Sequence, residues 1–297
     1  MQYRILGKTG LKVSAVGFGG IPIQRIDARG TRALMERLVE KGVNYIDTAR
    51  GYTVSESYLG EALSGGLREK FILATKSMSR GYADMARDIG ISLSNLRTDY
   101  IDLYQLHNIK SDADFELAFS AEGAVAAIQD AIRAGKVGHL GATAHSVDSF
   151  ERLLSYPEIE TIMFPYNIVE SQGEALMERA AAQNVGVIAM KPLAGGNITD
   201  GTLAMRYILQ NKTCTLAIPG MATLEEIEQN TAAAEQDGPA ALDLLDLLLH
   251  SLTVPWDLSA SPLYRHLATK EAAGEAQSVL LEPLLDQVEA DPDCAFL

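Results

Sequence analysis

An aspartate, a tyrosine, a lysine and a histidine stand where three short apolar runs of this sequence end. Asn44-Tyr45-Ile46-Asp47 runs on to Tyr52, residues 71–76 end in Lys76, and residues 100–107 end in His107. A free phenol with a pKa near 10 exchanges protons poorly at neutral pH. A buried ammonium within a few ångströms favours the phenolate and lowers that value, and a carboxylate beside the ammonium keeps it charged and oriented. An imidazole nearby can pass a proton or hydrogen-bond a substrate oxygen. The set suits protonation of a carbonyl oxygen while hydride reaches its carbon. Groups gathered at the carboxyl ends of successive strands are also how an active site is assembled on a parallel barrel.

The rest of the chain supplies the elements such a site needs. Residues 1–13 read as a hairpin around Gly7-Lys8-Thr9-Gly10, and no glycine stands five positions ahead of Gly7, so the Gly-Lys-Thr is not a phosphate loop. Strands are then expected at 15–20, 43–47, 71–76, 100–106, 137–143, 161–164, 185–190 and 215–218. Helical spacing fills the intervals: 31–41, 55–63, 82–96, 123–134, 147–154, 173–183, 202–210 and 224–234. Gly42 and Gly135 stand where left-handed caps would stop two of these helices.

Strands apolar along their whole length, each followed by a helix, belong to a parallel sheet covered on its outside. Eight such pairs close a (β/α)8 TIM barrel, an α/β fold with an N-terminal β-hairpin here. Gly17, Gly19 and Gly20 are followed by Pro22, so the glycine pattern of an open dinucleotide-binding sheet is missing. After residue 235 the alternation ends. Residues 236–297 are expected to form extra C-terminal helices packed on the barrel, making 1–297 a single domain.

Composition narrows the partners. The 297 residues are 47% apolar and carry a formal net charge of −14, which argues against nucleic acid or an anionic membrane surface. Cys214 and Cys294 form neither a disulfide framework nor a zinc site. No apolar run reaches the roughly 20 residues a membrane span needs. A cytoplasmic protein acting on a small molecule is expected. His139, His250 and His266 lack ligand spacing, so no metal is expected.

The stretches Leu6-Gly-Lys-Thr-Gly-Leu-Lys-Val-Ser-Ala-Val-Gly-Phe-Gly-Gly20 and Tyr45-Ile-Asp-Thr-Ala-Arg-Gly-Tyr52, with Lys76, His107 and Ile218-Pro-Gly220, resemble the aldo-keto reductases in this order over about the first 235 residues. That resemblance implies an NAD(P)H-dependent oxidoreductase reducing an aldehyde or ketone. Tyr52 would be the general acid, Lys76 and Asp47 would tune it, and His107 would orient or protonate the substrate carbonyl. The cofactor would run past Gly19, Gly20, Asp47 and Thr143. It would continue along Pro192, Leu193, Gly195 and Gly196, then Ile218, Gly220 and Met221, and on to Ala222, Thr223, Glu226 and Asn230. Glycine-rich loops before helix amino termini make anion cradles at this end of a barrel.

Several positions depart from the family's pattern. Thr143-Ala144 stands where many members have Ser-Asn, Met163 where glutamine is expected, and Met190 where an aromatic stacks on the nicotinamide. Members that prefer NADPH carry basic residues where this chain has Ala222 and Glu226, and Thr223-Leu-Glu-Glu226 fits a capping box. The resemblance keeps NADP(H) ahead of NAD(H). Related bacterial chains often append a ferredoxin-like segment, but Cys294 alone cannot hold a cluster, so no iron-sulfur centre is expected. The alternative function is a nicotinamide-nucleotide-binding sensor or regulatory subunit of low turnover. Tyr104 and Asp102 are read as packing and barrel-layer residues, and His145 as part of a loop.

Overall fold

The structure, a computed structural model, describes residues 1–235. The expected C-terminal extension at 236–297, with Trp256, His250, His266 and Cys294, lies outside the described residues.

A hairpin of β1 (Tyr3–Ile5) and β2 (Lys12–Ser14) opens the chain. There follow β3 (Phe18–Gly19), α1 (Ala28–Glu40), β4 (Tyr45–Asp47), α2 (Ser55–Ala62), β5 (Ile72–Ser77), α3 (Tyr82–Asn95) and β6 (Ile101–Leu106). Two helices, α4 (Asp112–Ala118) and α5 (Ala124–Arg133), separate β6 from β7 (Val137–Thr143). The series continues as α6 (Val147–Leu153), β8 (Thr161–Pro165), α7 (Glu174–Ala182), β9 (Gly186–Met190), α8 (Gly201–Gln210), β10 (Leu216–Ala217) and α9 (Leu224–Ala232).

Strands β3 to β10 pair in sequence order, all parallel. The two ends meet: Val16 bridges Ala217 and Gly19 bridges Gly220, with Gly17 donating to the Ala217 carbonyl at 2.8 Å. The sheet thus closes as a (β/α)8 barrel, which leaves no open edge. Glycine is required at the seam, because a Cβ on Gly19 would lie 3.0 Å from the carbonyl oxygens of Ile218 and Pro219.

Two apolar layers hold the barrel. Inside it, Tyr45, Ala74, Leu103, Met163, Ile188 and Leu216 pack with Leu6 and Val13 of the hairpin, which fill the barrel from its amino end. Outside it, a larger cluster lies between strands and helices, including Phe18, Leu38, Ile46, Tyr104, Ile128 and Phe164. Tyr104 and Asp102 therefore belong to the outward face. Tyr104 lies in the outer cluster and meets the Ser92 hydroxyl of α3, while Asp102 accepts from Arg68 and from the Leu73 amide. They are packing residues, as expected, but not members of the interior layers.

Local chemistry explains the boundaries. Asp27 caps α1 by accepting from the Gly30 amide at 2.7 Å, and Gly42 (φ 76°) ends it. Gly135 (φ 69°) ends α5 in the same way. Helix α4 was not expected, since only Phe115 and Ala118 of its seven residues are buried; the Ser111–Asp114 capping box starts it. Among the described residues no helix is long and apolar enough to cross a membrane.

Helices α2 and α3 meet at a glycine. A Cβ on Gly60 would lie 2.1 Å from the Asn95 carbonyl oxygen and 2.8 Å from the Leu96 carbonyl carbon, both backbone atoms. Gly60→Ala should therefore lower the unfolding free energy by about 1–3 kcal/mol, as overpacking does. Urea denaturation checks this, and an unchanged midpoint would contradict the packing described.

Candidate active site

Strand alternation decides which side chains face the barrel interior. Tyr45, Ala74 and Leu103 point inward, so Asp47, Lys76 and Gln105, two residues on along the same strands, point inward at the next level. There Lys76 pairs with the Asp47 Oδ2 and donates to the Thr48 carbonyl at 2.9 Å. Gln105 Nε2 donates to the other carboxylate oxygen at 3.0 Å. Asp47 and Lys76 are each 2% exposed, and two charges so buried persist only with such partners.

Tyr52 arrives from the loop between β4 and α2. Its ring lies with the Lys76 ammonium 4.8 Å from the centroid and meets the His107 ring edge-on at 5.9 Å. The loop is held along its length: the Arg50 amide donates to the Lys76 carbonyl at 2.9 Å, Tyr52 to Ala49 at 3.0 Å and Ser55 to Tyr52 at 2.8 Å. Arg50 also pairs with Glu56 at 3.0 Å. Glu56, 1% exposed, accepts from Thr75, Ser92 and Asn95 as well. Next to Tyr52, Thr53 sits at φ 39°, a left-handed conformation costly for a β-branched residue and sustained by these contacts.

Electrostatics assign the protonation states. Burial pushes the Lys76 ammonium down, but Asp47 and Tyr52 outweigh it and the lysine ends above its ordinary value. Burial pushes the Asp47 carboxyl up, against Lys76 and Gln105. For Tyr52 the sequence-based expectation of a lowered pKa needs correction: burial raises it, Lys76 pulls it back, and the net is above 10. The phenol is thus a protonated donor at neutral pH. Burial, then the charges of Lys76, His145 and Arg80, hold His107 down to about 3, so its imidazole is neutral. It is suited to hydrogen-bonding a substrate oxygen, not to protonating it.

The remaining expected site residues fall into two groups. Thr143, ending β7, accepts the Asn108 amide on its Oγ1 at 2.7 Å, and among the described residues its hydroxyl hydrogen has no partner. Gly195 (φ 71°) and Gly196 (φ 99°) follow Pro192 and Leu193, and a Cβ on either would meet nothing within 4 Å among the described residues. Met190 is half-buried at the end of β9. Asn230 is 3% exposed, and its Oδ1 has no partner among the described residues.

Others serve the backbone. Gly20 packs against the Asp47 carbonyl, where a Cβ would lie 2.9 Å away, and Gly220 against Pro22 at 2.7 Å. Met163, Ile218 and Met221 are buried in apolar clusters. Glu226 accepts from the Ala222 and Thr223 amides at 2.5 and 3.1 Å and donates its own amide to Thr223, the capping box read from sequence. Sequence reasoning missed Arg50, Glu56, Arg80 and Gln105. Gln105 was within reach, since it shares the inward parity of His107; the other three carry no local signal. Among the described residues no group of three or more His, Cys, Asp or Glu is placed to hold a metal ion.

Comparison with known proteins gives the chain a family. The family model described as the aldo/keto reductase family matches residues 15–202. The L-galactose dehydrogenase of Arabidopsis thaliana is 28% identical over 289 residues, covering 80% of this chain and 89% of its own. A solved candidate aldo-keto reductase of Pseudomonas aeruginosa superposes with a TM-score of 0.70 at 29% identity, over 78% of this chain and 95% of its own. The holo form of an aldo-keto reductase from Bacillus halodurans gives 0.74 over 89% and 99%; at 24% identity that likeness speaks to fold alone. The chain belongs to the aldo/keto reductase family, whose members are oxidoreductases.

Proposed function

We propose that this protein reduces an aldehyde or ketone to the alcohol with a nicotinamide cofactor, Tyr52 being the proton donor. The observation that carries the reading is the gathering of a protonated phenol, a buried ammonium–carboxylate pair and a neutral imidazole at one mouth of the barrel. The cofactor, when bound, supplies the hydride. Thr143, the Gly195–Gly196 loop and the open acceptor of Asn230 are the chain's own groups suited to hold it.

The residues then divide the work. His107 offers a neutral N–H to the substrate oxygen and orients the carbonyl. Tyr52 gives its proton to that oxygen as negative charge develops, and the Lys76 ammonium beside the ring stabilises the phenolate left behind. Asp47, held by Gln105, keeps Lys76 charged and in place. The reverse reaction needs the same groups with Tyr52 as base, and the Arabidopsis relative is by its name a dehydrogenase.

The family resemblance gives NADP(H) as cofactor, but one observation favours NAD(H). The Glu226 carboxylate occupies the amides of Ala222 and Thr223 that would otherwise be free for an anion at the start of α9. A carboxylate there repels a 2′-phosphate and can accept from a ribose hydroxyl. Fluorescence titration of the purified chain should show NADH binding about tenfold more tightly than NADPH, and Glu226→Gln should narrow the gap, a difference of about 1.4 kcal/mol. Tighter NADPH binding in the parent chain would contradict this assignment.

Tyr52→Phe should lower kcat for a generic aldehyde by about 10²–10⁴-fold with cofactor affinity nearly unchanged. Turnover at the parent rate would remove Tyr52 as the acid. Cofactor binding without turnover of any carbonyl by the parent chain would favour the sensor reading instead.

A further inference from the structure

Among the described residues no group hydrogen-bonds the buried His107 Nδ1 to aim the ring, whereas a catalytic imidazole is commonly oriented by a third group on that nitrogen. Its direction must come from its backbone and from the edge-on contact with Tyr52.

That backbone is a tight turn just past β6. The His107 amide donates to Ser77 at 2.9 Å, the Asn108 amide to Thr143 Oγ1 at 2.7 Å, and the Ile109 amide to the Thr143 carbonyl at 3.1 Å. Asn108 takes a left-handed conformation (φ 51°), and the carbonyls of His107 and Asn108 are both within reach of one nitrogen. That nitrogen is Arg80 Nη2, at 2.8 and 3.0 Å.

Arg80 is itself held mainly by charge. Its side chain is 11% exposed and its Nε lies 3.5 Å from Asp114 Oδ1, while Nε and Nη1 have no hydrogen-bond partner among the described residues. The Arg80 carbonyl accepts from Ala124 at the start of α5. Asp114 is the capping-box residue of α4, whose other oxygen takes the amides of Lys110 and Ser111. The placement therefore passes from the cap of α4 through Asp114 and Arg80 to the His107 turn.

We infer that Arg80 is a positioning residue for His107, its guanidinium clamping two successive carbonyls so that the imidazole faces the substrate site. This rests on the carbonyl-reductase reading. The charged and titratable groups facing His107 come from three strand exits: Tyr52 after β4, Lys76 and Arg80 at and after β5, and His145 after β7. The last three are cationic or can become so, and Arg80 thus adds to the forces that keep His107 neutral.

Two variants of the full chain test this, Arg80→Met and Arg80→Lys, each checked for folding by circular dichroism. Readouts are carbonyl reduction, cofactor affinity, and the His107 titration by NMR, assigned by its loss in His107→Gln. In the parent chain His107 should not titrate between pH 5 and 8, consistent with its value of about 3. Arg80→Met should raise its midpoint and lower kcat/KM about 10- to 100-fold, with cofactor affinity within about twofold. Arg80→Lys keeps the charge but cannot hold Asp114 and both carbonyls. It should leave the midpoint near the parent's while kcat/KM falls about tenfold. A folded Arg80→Met chain with parent kcat/KM, or one whose loss follows cofactor affinity while the midpoint stays put, would overturn the inference. If the parent chain reduces no carbonyl, the functional reading falls separately, and the placement of the ring decides: NOEs between the edge-on Tyr52 and His107 rings of the parent chain should weaken in both variants if Arg80 positions the imidazole, and unchanged NOEs in both would refute the clamp.

Discussion

The buried pair of Asp47 and Lys76 is the constraint around which this barrel is arranged. Two charges at 2% exposure stay ionised only if each finds partners inside the protein, and the turn after β4 and the strand β6 supply them: the Thr48 carbonyl for the ammonium and the Gln105 amide for the carboxylate. Removing one member would leave the other unpaired in a low-dielectric interior. The pair is therefore rigid, and rigidity is what a proton donor resting against the ammonium requires.

Around it, a second level of buried polar chemistry fixes the loops. Glu56 gathers Arg50, Thr75, Ser92 and Asn95, tying the Tyr52 loop to α2 and α3. Arg80 does the equivalent for the His107 turn from α4. Tyr52 and His107 thus meet edge-on at the mouth of the barrel from two loops, each anchored by an arginine that reaches a carboxylate beyond the four candidate residues. Burial leaves the phenol protonated against the pull of Lys76, and burial together with the surrounding cations leaves the imidazole neutral.

Much of this was legible in the residues. The eight-fold alternation of apolar runs and helical spacing marked the barrel, and Gly42 and Gly135 marked helix ends because only a left-handed cap was needed there. That Asp47, Tyr52, Lys76 and His107 come together was legible because strand ends deliver side chains to one mouth. Helix α4 was not, since its signal is a capping box with two buried residues. Arg50, Glu56 and Arg80 were hidden for a similar reason: their partners come from several elements, and no spacing in the chain records a contact made across them. The sign of the Tyr52 shift was missed because burial, invisible in sequence, outweighs the neighbouring charge.

The most direct test of the central claim is the rate of aldehyde reduction by Lys76→Met, measured on protein shown to be folded and to bind cofactor. If the Asp47–Lys76 pair stabilises the Tyr52 phenolate formed in the transition state, kcat should fall by about 10²–10³-fold while cofactor affinity changes little. A folded, cofactor-binding Lys76→Met chain that retains the parent kcat would contradict the account.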